Sequence, residues 1–193
     1  MGKFNLCQKL AFLIFSAAVL EGQGTGAEAA EITSTYTKIR LQDCSQTEPA
    51  SKEGTFGGSW ECSGFQGQKV YVAEGDLRMF VSFGPSAARE PAAAQTLPNF
   101  NTINETLEWR LRDGVAFATI LRWFPTLDDS GKTGSVLIVT QLDPGGAICQ
   151  IARIDAQANK NANVLARNVA DRLAGKHDCS RGPLIEGKPG VLH

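Results

Sequence analysis

The chain has 193 residues and a nearly balanced charge, with 19 lysines and arginines against 20 aspartates and glutamates. No block of like charge stands out, which argues against nucleic acid or an anionic membrane surface as a partner. The length suits one domain with a buried core of its own.

The first 29 residues have the features of a cleavable signal peptide. Lys3 and Lys9 give a positive start, residues 10–20 form an apolar run (LAFLIFSAAVL), and residues 27–29 (AEA) form a small-x-small cleavage pattern. The apolar run is shorter than the roughly 20 residues that a membrane helix needs. We therefore predict removal of residues 1–29 and export of one globular domain, residues 30–193, to the periplasm or the medium without membrane insertion.

Four cysteines follow the predicted cleavage site, whereas Cys7 lies before it. An even number of cysteines in an exported chain indicates disulfides, and proximity along the chain favours the pairs Cys44–Cys62 and Cys149–Cys179 among three possible pairings. A redox or zinc site is the alternative, but no C-x-x-C spacing supports it. We predict two structural disulfides, each contributing about 3–4 kcal/mol through loop closure.

Alternating apolar residues predict a series of short strands in chain order. The first covers 36–42 and ends at Cys44, and residues 69–84 form a hairpin whose turn at 74–76 uses Gly75 for a positive φ. Further strands are predicted at 107–112, 116–124, 135–142 and 147–154. Those at 116–124 and 135–142 are apolar on both faces, as central strands are.

Residues 84–105 are rich in Pro, Ala and Asn and lack a period, which predicts a long loop. A surface connection between two halves of a sheet is favoured over a functional or mobile segment.

One amphipathic helix is predicted near the C-terminus. Val164, Leu165, Val169 and Leu173 recur at helical spacing, with Asn161 and Gly175 as expected caps. The tail that follows is expected to be loose. The fold class is therefore α+β, with about seven or eight short, mostly antiparallel strands and this helix packed on one face.

The chain carries no coherent catalytic pattern. Histidine occurs only at positions 177 and 193, G-x-S-x-G is absent, and paired cysteines leave no thiol nucleophile. Gly131-Lys132-Thr133 lacks the upstream glycine of a phosphate-binding loop. We predict no catalytic, cofactor-binding or metal-binding residues and lean against an enzyme. A hydrolase with dispersed carboxylates stays open, with candidates Glu61, Glu74, Asp76 and Glu108.

Three arginines are binding candidates. Arg110, Arg112 and Arg122 would form a basic patch around Glu108 if strands 107–112 and 116–124 pair. Cross-strand ion pairs on a solvent-exposed face are the favoured interpretation. The alternative is an anion or glycan site beside Trp109 or Trp123, which alternation of side chains makes difficult because Trp109 lies opposite Arg110.

His177 is the fourth binding candidate. The segment Lys176-His177-Asp178-Cys179 resembles the protruding loop of a family of periplasmic lysozyme inhibitors, which implies a histidine that enters the active site of a target. That family has a cysteine where this chain has Gly175, so the loop cannot close in the same way. The favoured alternative is a helix C-terminus whose Lys and His complement the helix dipole.

Most of the exported part resembles a family of small exported proteins from alphaproteobacteria. The matching segments are YTKIRLQDC, WECSGFQG, VYVAEGDLRMFVSFG, LEWRLRDGVAFATILRW and NANVLARNVADRLA. The resemblance implies a periplasmic or secreted single domain and brings no activity with it. We therefore expect an exported, non-enzymatic binding or structural domain of the bacterial envelope with a protein or glycan partner. The alternatives are an inhibitor of a cell-wall hydrolase and the dispersed-carboxylate hydrolase.

Overall fold

The computed structural model describes residues 1–2, 30–142 and 146–192. The predicted signal peptide, apart from its first two residues, and most of the predicted turn at 143–146 lie outside the described residues. Within them are ten strands, one α-helix and five 3₁₀ helices.

The strands and the helix follow each other in the order of an α+β protein. The strands are β1 (Ile32–Lys38), β2 (Ser45–Glu48), β3 (Phe56–Ser63), β4 (Lys69–Gly75), β5 (Arg78–Phe83), β6 (Asn101–Arg112), β7 (Val115–Pro125), β8 (Val136–Gln141), β9 (Cys149–Asp155) and β10 (Leu184–Ile185). The helix is α1 (Ala162–Leu173), and the 3₁₀ helices are Leu41–Asp43, Phe65–Gly67, Ala87–Arg89, Pro91–Ala94 and Gly190–Leu192.

Two sheets and the helix form three layers. The larger sheet has the order β1-β6-β7-β8-β9-β10, and the smaller one has the order β2-β3-β4-β5. All pairings are antiparallel except that of β9 with β10. This architecture confirms the predicted fold class. The described residues contain ten strands instead of the expected seven or eight, and the short β2 and β10 are among them.

The larger sheet is apolar on both faces because it lies between two cores. Leu121, Trp123 and Ile138 belong to a core shared with the smaller sheet. Ile120 and Leu137, one residue away on the same strands, belong to a second core shared with α1. Side chains of a strand alternate between faces, so β7 and β8 must be apolar at nearly every position.

Both predicted disulfides are confirmed. Cys44 pairs with Cys62, and Cys149 pairs with Cys179. The first pair joins the segment before β2 to β3, while the second joins β9 to the segment after α1. Each pair thus fixes a loop-rich stretch to a central element of the fold.

Several local predictions are wrong in their bounds. β1 ends at Lys38 instead of Gln42, because Ile39 turns into the core and residues 41–43 form a 3₁₀ turn. The hairpin turn has its positive φ angles at Asp76 and Leu77, not at Gly75. Gly75 pairs with Arg78, so this is a two-residue turn, which takes a positive φ at both central positions in its favoured form.

The predicted loop 84–105 is shorter and more ordered than expected. Its last five residues belong to β6, and two 3₁₀ helices fill much of the remainder. Asn101 begins the strand in a buried position, where its amide accepts a bond from the Met79 N–H and donates to the Asn99 carbonyl. These bonds explain how a strand can start in an asparagine-rich segment.

The C-terminal tail is docked instead of loose. Its residues 184–185 pair with β9 as β10, and residues 190–192 form a 3₁₀ helix. The buried carboxylate of Asp155 accepts a bond of 2.7 Å from the Val191 N–H, and the Asn159 amide bonds both the N–H and the carbonyl of Lys188. The tail therefore forms a wall along the open edge of the larger sheet.

The caps of α1 match the prediction at one end. Gly175 has a φ of +76°, as a glycine that follows a helix C-terminus often does. Asn161, the predicted N-cap, makes no side-chain capping bond.

Candidate ligand-binding site

The predicted basic patch lies under α1 and not on a solvent-exposed face. β6 and β7 pair as expected, but Arg110 reaches Asp171 of α1 with two bonds, Nε–Oδ1 at 2.9 Å and Nη2–Oδ2 at 2.6 Å. Glu108 makes the reverse pair, accepting from Arg167 of α1 at 2.6 Å. These ion pairs join sheet to helix, so Arg110 is committed to the fold and is not available to a ligand.

Arg112 and the two tryptophans are likewise occupied. The guanidinium of Arg112 lies 4.3 Å from the ring centre of Phe117, a cation–π contact. Trp109 and Trp123 are fully buried in the core between the sheets, on the face opposite the arginines. An anion or glycan site beside either tryptophan is therefore ruled out by position.

Arg122 differs from Arg110 because its described partners are neutral. Its Nη1 donates to the Ser135 hydroxyl at 2.6 Å, and its Nη2 donates to the Asn163 carbonyl oxygen at 3.3 Å. Arg122 lines a cleft of about 260 Å³ between α1 and the larger sheet, together with Tyr36 and Arg167. Its Nε makes no hydrogen bond within the described part of the chain, so Arg122 keeps a donor for a ligand.

His177 is partly buried, and its imidazole does not present Nε2 to solvent. Its Nε2 is buried and has no hydrogen-bond partner among the described residues, while its carbonyl accepts a bond from the Gln141 amide. The loop is further held by the disulfide from Cys179 to Cys149. An imidazole that inserts into a target enzyme would need to be exposed, so the position of His177 gives the inhibitor interpretation no support.

The four carboxylate candidates have ordinary structural partners. Glu61 pairs with Lys69, Glu74 accepts the Leu77 N–H, Asp76 pairs with Arg78, and Glu108 pairs with Arg167. Glu61 also lines a shallow cleft with Glu48 on the outer face of the smaller sheet.

The sequence prediction missed a second arginine site, at the edge of the inter-sheet core. Arg153 of β9 lies at a pocket of about 220 Å³. Apolar residues form most of the wall, and four of them come from the docked tail. The lining residues are Leu97, Pro98, Asn99, Pro125, Leu127, Arg153, Pro183, Ile185, Val191 and Leu192.

Arg153 lies on the face of the larger sheet that packs against the smaller sheet. It pairs in register with Ile138 of β8, which packs between the sheets. A charged residue at an apolar position within the strand AICQIARI is the signal that could have revealed it. Removing a charge from water costs free energy unless hydrogen bonds or an opposite charge compensate it. We therefore looked for the groups that compensate the charge of Arg153.

The partners of Arg153 in the protein are neutral. Its Nε and Nη2 donate to the side-chain oxygen of Gln150 at 3.1 and 2.8 Å, and Nη2 also donates to the Thr96 carbonyl at 2.9 Å. No carboxylate of the described residues forms an ion pair with it, and its Nη1 has no hydrogen bond there. Burial lowers the pKa of Arg153, yet a guanidinium starts so high that it stays charged at neutral pH.

These contacts hold the guanidinium in place, but none of them neutralises its positive charge. Gln150 is itself fixed, because its amide donates to the Gln95 carbonyl at 3.0 Å and its N–H donates to the Gln95 side chain at 2.6 Å. A positioned cation in the lining of a largely apolar pocket can bind the anionic end of a small ligand whose body contacts the walls.

Other classes of site are not indicated. Across residues 30–142 and 146–192, no group of three or more His, Cys, Asp or Glu side chains could hold a metal ion. The same segments contain no helix that is long and apolar enough to cross a membrane. The chain matches no protein-family model, no curated protein and no solved structure. The site is therefore interpreted from its own chemistry.

Proposed function

We propose that this protein is an exported, non-enzymatic binding domain that holds a small organic anion in the Arg153 pocket. Export is supported by the features of residues 1–29 and by the two disulfides, which persist in oxidising compartments. The binding role rests on one observation, namely that the partly buried Arg153 guanidinium has only neutral partners in the described protein.

The dimensions of the pocket favour a compact ligand. An apolar protein cavity of about 150 Å³ is known to hold benzene. The Arg153 pocket, at about 220 Å³, has room for one ring or a short alkyl chain and an attached carboxylate. We therefore expect aryl-substituted or short-chain monocarboxylates as ligands, with the carboxylate on Arg153 and the apolar part against the proline and aliphatic walls.

Calorimetric titration of the protein without its leader tests this proposal. The probes are phenylacetate, hexanoate and the uncharged phenylacetamide. At least one carboxylate should bind saturably, and the amide should bind at least about tenfold more weakly, because charge-assisted hydrogen bonds exceed neutral ones by about 1–1.5 kcal/mol.

The variant Arg153→Gln separates pocket binding from binding elsewhere. Glutamine keeps a polar side chain but removes the charge, so carboxylate affinity should fall by about tenfold or more. Arg89→Gln, which removes an exposed arginine outside this pocket, should leave the affinity unchanged. Equal affinity of the parent protein and Arg153→Gln for every probe would refute the proposal, as would the absence of binding by both carboxylates.

A further inference from the structure

A second, independent site lies on the opposite face of the larger sheet, in the cleft that contains Arg122. We propose that this Arg122 cleft binds an acidic sugar, with its carboxylate on Arg122 and its ring against the exposed face of Tyr36. The inference does not depend on the Arg153 pocket, because the two sites share no residue.

The charge of the cleft favours an anion. Arg122 and Arg167 each bring a positive charge, and Glu108 brings one negative charge. Glu108 is committed to Arg167 at 2.6 and 3.2 Å and also accepts from the Ser34 hydroxyl at 2.6 Å. One positive charge, that of Arg122, is left without a carboxylate among the described residues.

The surrounding groups favour a sugar over a simple anion. Tyr36 is 53% exposed, and its hydroxyl accepts a bond from Arg167 at 3.1 Å, which fixes the ring at the rim of the cleft. A flat aromatic ring can pack against the apolar C–H face of a sugar while the polar groups around it stay hydrated. The Arg153 pocket, by contrast, has walls of proline and aliphatic side chains that suit an apolar body.

Two amides add hydrogen-bond donors for hydroxyl groups. Asn104 lies in an irregular part of β6, between Ile103 and Leu107, where the register to β7 shifts. Its side-chain oxygen accepts from the Thr106 N–H, which leaves the NH₂ group without a hydrogen bond among the described residues. Asn163 lines the other side of the cleft and also keeps its NH₂ group free of such bonds. Irregularities of this kind commonly re-aim side chains at functional sites.

Nuclear magnetic resonance titration with glucuronate, glucose and acetate tests the proposal. Protein from a bacterial host that does not glycosylate Asn-x-Thr sites keeps Asn104 free, since this residue begins such a sequence. Glucuronate should shift the amide signals of residues around the cleft saturably at millimolar concentration. Glucose lacks the carboxylate and acetate lacks the sugar ring, so each should bind at least about tenfold more weakly.

Two variants decide whether the cleft is responsible. Arg122→Gln should weaken glucuronate binding by about tenfold or more, and Tyr36→Ala should weaken it by about three- to tenfold. Arg181→Gln, at an exposed arginine outside the cleft, is the matched control and should change nothing. Unchanged glucuronate affinity in Arg122→Gln, or affinity for glucose or acetate equal to that for glucuronate, would overturn the proposal.

Discussion

Arg110, which is buried, and Arg153, which is partly buried, show how the available partner decides the role of a charge. Arg110 has a side chain only 9% exposed and forms two parallel bonds with Asp171, so its charge is neutralised within the fold. Arg153 is held by a glutamine side chain and a carbonyl, which orient the guanidinium but bring no opposite charge. The first residue is therefore structural, and the second is a candidate for ligand binding.

This difference predicts the effect of removing the partner of Arg110. Asp171→Ala leaves a buried guanidinium without its carboxylate and should lower the free energy of unfolding by about 3 kcal/mol. Urea denaturation followed by circular dichroism measures the loss. Glu105→Gln, which breaks an exposed pair with Arg40, is the control and should stay within about 0.5 kcal/mol of the parent protein. Equal losses in both variants would show that Arg110 does not depend on Asp171.

Elements with strong local patterns are the ones that the sequence predicts well. The 3.6-residue period of α1 and the two-residue period of β4 and β5 arise from each element's own residues. The docked tail escapes prediction because its main contact, from the Val191 N–H to Asp155, spans 36 residues of sequence. The Arg153 pocket escapes for the same reason, since residues 97–99, β9 and the tail meet only in the folded chain.

The tail has a testable role as a wall of the Arg153 pocket. Deleting residues 189–193 removes Val191 and Leu192, two apolar side chains that line the pocket. Phenylacetate affinity should then fall by about tenfold, since each side chain contributes part of its apolar contact area. Lys188→Ala keeps the backbone bonds to Asn159 and should bind as the parent protein does. A truncated protein with undiminished affinity would show that the tail is not part of the site.

At the scale of the whole molecule, the larger sheet separates two unlike sites. The Arg153 pocket faces the smaller sheet and is walled by apolar side chains, whereas the Arg122 cleft faces α1 and is lined mainly by polar ones. One disulfide fixes the segment before β2 to β3, and the other fixes the segment after α1 to β9. The layered fold thus presents two surfaces of different chemistry.

Export of this molecule can be checked directly. Expression of the full chain in a bacterial host with a periplasm should yield a periplasmic protein whose first residue is Ala30. Mass spectrometry after alkylation without reductant should find all four remaining cysteines unmodified, because both disulfides form in that compartment. Full-length protein retained in the cytoplasm with free thiols would contradict export.

The most direct measurement of the central proposal is a map of where phenylacetate binds. In a titration followed by backbone amide resonances, saturable shifts should cluster at Leu127, Arg153, Ile185 and Val191, which line the pocket. The cluster should be lost in Arg153→Gln and kept in Arg89→Gln. Shifts that lie elsewhere on the protein, or that persist at the pocket in Arg153→Gln with the same affinity, would contradict the assignment of Arg153 as the anion-binding group.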